Sequence, residues 1–261
     1  MKIVSGKFLL FLVPFFHGAA VLAQKLPTSG SKDSVVYPPG CYQKFDARKL
    51  IVPATMIAYG FVALHVASLT YISEGIQEET WDDHPHNTTT IDNYLQFAPA
   101  VAVYALNLAG IKGEHNFVDR SMIYLMSNLI MEGFVAPIKN WSHELRPNGE
   151  GYESFPSGHT AEAFVSATFL YEEYKNVSIW YGVGGYLVAG TVGALRIYND
   201  KHWFHDVVAG AGFGIISTKA AYLVYPYLRN MLTHTTKQGK NTMVMPTYQN
   251  GVPGLSFAMQ L

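Results

Sequence analysis

The sequence predicts an all-α protein: a six-helix bundle embedded in a membrane, with an N-terminal signal peptide and a short C-terminal β-hairpin. Three observations carry this expectation. Six apolar segments of helical length follow one another between residues 50 and 228. Most of the charge lies between those segments rather than within them. Glycines crowd the fifth and sixth segments, among them Gly182, Gly185, Gly210 and Gly214, and such spacing lets helices approach closely, as packed membrane helices do.

Composition narrows the class. The 261 residues are 49% hydrophobic and 14% charged, against about a quarter charged in soluble domains. The formal net charge of −1 supplies no bulk basic field for nucleic acid. The single cysteine, Cys41, leaves no disulfide framework and no cysteine zinc site within one chain. Mean hydropathy is +0.10, modest for six spans and diluted by acidic clusters and the tail.

Residues 1–23 have the three parts of a secretory signal: Lys2 and Lys7, an apolar run from Phe8 to Phe16, and small residues before a cut at Gln24. The run is short for a span. Residues 24–49 are polar and rich in Pro and Gly, a linker. Residues 50–73 carry no formal charge and are long enough to cross a bilayer. Residues 74–92 are acidic. Asp82, Asp83, His84 and His86 cluster there, but nothing fixes a metal geometry, so the segment reads as a solvated loop.

The second segment, residues 93–111, is again uncharged, with Pro99 near its start. The third, 121–138, is interrupted only by Glu132. The fourth, 160–174, carries Glu162, Glu172 and Glu173; the fifth, 176–195, holds five glycines; the sixth, 207–228, holds three glycines and Lys219. The core thus covers 50–228, and 229–261 form a tail. Alternation around Asn250-Gly251 suggests a hairpin there.

Charge bias places both ends of the core inside and the loops after the third and fifth segments outside. A cleaved signal would put residue 24 outside as well. The two readings conflict if all six segments span, so a re-entrant segment or a soluble periplasmic bundle remains an alternative.

Those two outer loops carry the chemistry. Lys139 and Arg146 leave an apolar segment together, and Pro147 stops the helix from continuing. Two fixed cations at a helix end suit phosphate, which Arg can bind through two N–H groups. Pro156-Ser157-Gly158-His159 precedes the fourth segment. Ser157 can cap, Gly158 lets backbone approach a ligand, and the free N–H groups of a helix start attract an anion. His159 sits beside that anion, placed for general acid work. His202 and Asp206 are four apart and share a helix face, with Arg196 just upstream. A carboxylate on one ring nitrogen leaves the other free as a nucleophile. His205 and His143 point elsewhere on this reading. Each cluster alone has a bland explanation: flanking charge, an ordinary cap, a surface pair.

Together and in order they resemble the type 2 phosphatidic acid phosphatase (PAP2) family, a superfamily shared with acid phosphatases and vanadium haloperoxidases. The quoted residues are Lys139-x6-Arg146-Pro147, Pro156-Ser157-Gly158-His159 and Arg196-x5-His202-x3-Asp206. Leu195 stands where the family usually has Ser. The resemblance implies a metal-independent phosphatase without cofactor. His202 attacks phosphorus, Asp206 orients it, and His159 protonates the leaving oxygen. Lys139, Arg146, Ser157, Gly158 and Arg196 hold the phosphoryl oxygens. It implies an envelope lipid as substrate and partner: phosphatidic acid, phosphatidylglycerol phosphate, undecaprenyl pyrophosphate or lipid A phosphate. The expected location is the inner membrane with the site facing the periplasm; a soluble periplasmic acid phosphatase is the alternative. Vanadium haloperoxidase chemistry and a non-catalytic lipid binder are weaker readings. No protein partner is inferable.

Overall fold

A computed structural model of the protein describes residues 46–232, 242–249 and 252–259. The expected signal and Cys41 lie outside the described residues. A 3-10 turn at Ala47–Leu50, capped by Asp46, leads into α1, Ile51–Ala63. Then follow α2, Ala67–Gln77, continued by a π turn at Glu78–Asp82, and the short α3, Asp92–Leu95. The remaining helices are α4, Ala98–Leu108; α5, Phe117–Ser142; α6, Gly158–Tyr174; α7, Ile179–Tyr198; and α8, Phe204–Leu232. Strands β1, Thr242–Gln249, and β2, Val252–Met259, pair antiparallel with Gln249 opposite Val252.

The six expected segments become eight α-helices among the described residues, because the first two are broken. α1 and α2 meet at 94°. Val66 is extended, and Thr70 Oγ1 donates to the Ala63 carbonyl at 2.7 Å, satisfying a group that the bend frees. Pro99 lies at the start of α4, where its missing N–H costs nothing, and α3 stands apart before it.

α6 is the axis of the bundle. It packs on α4, α5, α7 and α8 and is buried along most of its length. α8 lies against α1, α5 and α6. A methyl group on Gly214 would come within 2.3 Å of the Ala161 carbonyl, and one on Gly210 within 2.5 Å of the Ser157 carbonyl. On the other side, Gly212 meets the Pro53 backbone in the same way. These contacts set α8 directly against the start of α6, where the third and second clusters meet.

Apolar side chains also face outward. Leu108, Leu129, Leu187 and Val101 are all more than 60% exposed. α5 and α8 are long and apolar enough to cross a membrane, and the bent α1–α2 pair passes the same test as one broken span.

Candidate active site

α5 ends at His143, which takes a left-handed conformation (φ +46°) and turns the chain out of the helix. Lys139, one turn earlier, donates to the Glu153 carbonyl at 2.8 Å. The loop that follows brings back Arg146, whose main-chain N–H donates to the Gly151 carbonyl. Lys139 and Arg146 share the wall of a cleft of about 490 Å³ with His143, Tyr152 and Glu153.

Ser157 caps α6: its hydroxyl lies 2.9 Å from Thr160 Oγ1 and accepts from the Thr160 N–H. Its own N–H donates to the Asp206 carbonyl at 3.1 Å, which ties the second cluster to the third. Gly158 lies beside the Lys139 stem, 3.8 Å from its Cε at the position of a Cβ. Arg196 comes from the last turn of α7, and His202 from the tight connection into α8. Every site residue expected from the sequence therefore gathers at one end of the bundle.

His202 is buried, with Nδ1 3.4 Å from Asp206 Oδ2. That leaves Nε2 as the nitrogen turned away from the carboxylate. Burial holds His202 below the ordinary histidine range, to about 3, with Asp206 opposing, so the ring is neutral and its lone pair available. Asp206 Oδ2 accepts from Ser154 Oγ at 2.5 Å and from the Trp203 N–H at 2.8 Å. His159 is held down to about 4 by burial first and by the Arg196 charge next.

Arg146 Nε, Arg196 Nε and His202 Nδ1 are buried and have no hydrogen-bond partner among the described residues. Donors left this way are costly. His202 Nδ1 faces Asp206, and the two arginine nitrogens near a neutral histidine fit a tetrahedral anion with several acceptor oxygens. Lys139 adds a third fixed positive charge.

The site contains residues that no motif marked. His205, read from the sequence as pointing elsewhere, is buried against Asp206. Its Nε2 donates to Glu144 Oε1 at 2.7 Å and lies 3.5 Å from Asp206 Oδ1, and Ser73 Oγ donates to its Nδ1 at 2.8 Å. The exclusion fails because the turn before α8 is not helical, so helix spacing does not apply at residue 202. Glu144, Asp206 and His205 bring ligand atoms within 4.8 Å of one another. His205 Nε2 is already spent on Glu144, and burial pushes the Glu144 carboxyl up to about 7. A protonated carboxyl with an internal partner describes the trio better than a cation cage. Asp92 and Asn93 of α3 also reach the site: Arg196 donates to Asp92 Oδ2 at 2.6 Å, and His159 Nε2 donates to Asn93 Oδ1 at 2.8 Å.

Residues 120–230 match the PAP2 superfamily model. A lipid A 1-phosphatase of Porphyromonas gingivalis is 31% identical over 229 residues, 83% of this chain and 50% of that protein. A probable lipid phosphate phosphatase 4 of Arabidopsis thaliana is 35% identical over 105 residues, 31% of each. The chain thus spans half the length of the first relative and about a third of the second. Two solved structures are similar as well. One is a transmembrane PAP2 type phosphatidylglycerolphosphate phosphatase from Bacillus subtilis, with TM-score 0.48 and 19% identity over 71% of this chain and 99% of that one. The other is Aquifex aeolicus LpxE, with TM-score 0.44 and 22% identity over 60% and 96%.

Proposed function

We propose that the chain is a member of the PAP2 superfamily and that it hydrolyses the phosphate monoester or pyrophosphate of an envelope lipid through a phosphohistidine. The observation that carries this reading is the set of buried donors without partners, Arg146 Nε and Arg196 Nε, together with the buried His202–Asp206 pair at the same end of the bundle.

The steps follow from the side chains. Lys139, Arg146, Arg196 and the N–H groups at the start of α6 hold the non-bridging oxygens and offset the charge that develops on them. His202 Nε2 attacks phosphorus in line, and the P–O bond to the leaving group breaks. Asp206 steadies the positive ring that results. His159 gives a proton to the departing oxygen. It then takes one from water, which attacks the phosphohistidine and releases phosphate. The fixed cations supply the charge stabilisation that a metal supplies in other phosphatases.

The lipid reading rests on α5 and α8, which are long and apolar enough to cross a bilayer, and on the outward-facing leucines. Within it we favour a lipid A phosphate, the class named for the Porphyromonas relative. We place the site on the periplasmic face, with the N-terminal leader acting as a signal and residues 50–228 forming a six-segment phosphatase domain. Residues 24–49 serve as linker, and residues 229–261 form a tail outside the catalytic unit.

The test is phosphate release across a panel of lipid phosphates and soluble phosphomonoesters. Wild type should act on lipid phosphates, and His202→Ala should lose activity while folding normally. Full activity in His202→Ala would falsify the mechanism. Equal turnover of soluble esters without detergent would move the protein to the acid phosphatases.

A further inference from the structure

The two histidines of the site have different partners. His202 faces a carboxylate, Asp206. His159 is bonded instead to a neutral amide, with Nε2 2.8 Å from Asn93 Oδ1. An amide oxygen only accepts, so the Nε2 of His159 carries a proton and Nδ1 does not. Among the described residues Nδ1 has no hydrogen-bond partner.

Asn93 is held in place from outside the three clusters. Its neighbour Asp92, 1% exposed, pairs with Arg196. Upstream, Asn199 at the end of α7 accepts from the Thr89 N–H and donates to the Thr89 carbonyl, each at 2.9 Å. His86 stacks on Tyr198 at 3.7 Å and donates to its carbonyl. The segment from His86 to Asn93 is therefore clamped to the same helix end that delivers Arg196. It presents one side chain to each half of the phosphoryl site.

We propose that Asn93 is a positioning residue for the acid–base step, holding Nε2–H of His159 so that Nδ1, protonated in the imidazolium form, gives its proton to the leaving oxygen and, once the ring is neutral, takes one from water. Asp92 plays the matching part for Arg196, holding one guanidinium edge and leaving Nε for the phosphoryl oxygens. The inference rests on the hydrolase reading above and adds α3 to the site as a fourth part. A neutral partner suits an acid, because it orients the ring without drawing the proton toward it. A carboxylate partner suits a nucleophile, because it steadies the charge that attack creates. The groups facing His159 are Arg196, Lys139 and Arg146, which favour the neutral ring, and Asp92, which opposes them.

The experiment uses the full chain in detergent micelles with Asn93→Asp and Asn93→Ala, on a lipid phosphomonoester and on p-nitrophenyl phosphate. A carboxylate against His159 should move the alkaline limb of kcat/KM upward by about one pH unit or more, since the acid form then survives to higher pH. Asn93→Ala should lower kcat for the lipid ester by about 10- to 100-fold with KM little changed. It should spare p-nitrophenyl phosphate, whose leaving group hardly needs a proton. An unmoved limb in Asn93→Asp, or equal loss on both substrates, overturns the proposal. Ring-nitrogen NMR of His159 decides it without turnover: Nε2 should be the protonated nitrogen in wild type, and an Nδ1-protonated ring sinks the idea. Wild type inert on every ester would instead defeat the hydrolase reading, with the NMR result still deciding the role of Asn93.

Discussion

The two ends of the bundle bury charge in opposite ways. At the end remote from the site, acids and bases are matched. Glu172 pairs with Lys175 and, at 3.2 Å, with Lys219. Glu173 accepts from the His115 ring at 2.7 Å and from Tyr222 at 2.8 Å, with Arg120 Nε at 3.8 Å. Asp119 accepts from Tyr225 and from Arg229. At the other end, Arg146, Arg196 and His202 each keep a buried nitrogen without a partner. Burying a matched pair is close to neutral for stability, whereas burying an unmatched donor costs free energy. The far end leaves one such nitrogen, Arg120 Nη1, and the site end three, so the cost is concentrated where a bound anion can offset it. The far end contributes shape: it locks α5, α6 and α8 together.

This contrast makes opposite predictions for substitutions at the two ends. The largest effect is His202→Ala, which should cut kcat by about 10⁴-fold or more with an unchanged melting temperature. Next is Glu173→Ala. It leaves Arg120, His115 and Tyr222 facing a gap in the core, so stability should fall by about 3–5 kcal/mol. The folded fraction should keep its turnover number. Loss of kcat in Glu173→Ala at full occupancy of the folded state would mean that the far end takes part in chemistry. Arg196→Lys is smaller. A lysine can keep the pair with Asp92 but cannot also offer Nε to the phosphoryl group, so kcat/KM should drop by about 10- to 100-fold. A drop confined to stability would place Arg196 with the matched charges.

Legibility followed the same division. The three clusters stood out because each sits in a polar run at a helix end, with a residue order specific enough to outweigh its bland alternative. Asp92 and Asn93 were invisible for a physical reason. Asp92 closes an acidic stretch of ordinary composition and Asn93 opens an uncharged one, and their partners are 104 and 66 residues away. Ser73 and His205 are 132 apart, and a serine in an apolar run carries no mark of its use. The break between α1 and α2 escaped because residues 50–73 are as apolar across the bend as on either side. Only Thr70, returning its hydroxyl to Ala63, betrays the turn.

The smallest prediction concerns Glu144, which lies between the two regimes: bonded to His205 through Oε1, yet with Oε2 buried and without a partner. Its carboxyl is pushed up to about 7 by burial, against about 4.3 when unfolded. Between these values the folded protein holds a proton that the unfolded chain has released. Stability therefore declines as pH rises through this window and is greatest below it. Glu144→Gln keeps an acceptor for His205 and does not titrate, so its melting temperature should vary less than that of wild type from about pH 4.5 to 7. Asp206 Oδ1, also without a partner, gains a permanent N–H donor nearby, and activity at acid pH should be retained. If the variant keeps the wild-type slope, Glu144 is already ionised and solvated, and the trio behind the nucleophile belongs with the unmatched end. A flattened slope makes it a self-contained pair that supports Asp206 as the far-end pairs support the helices.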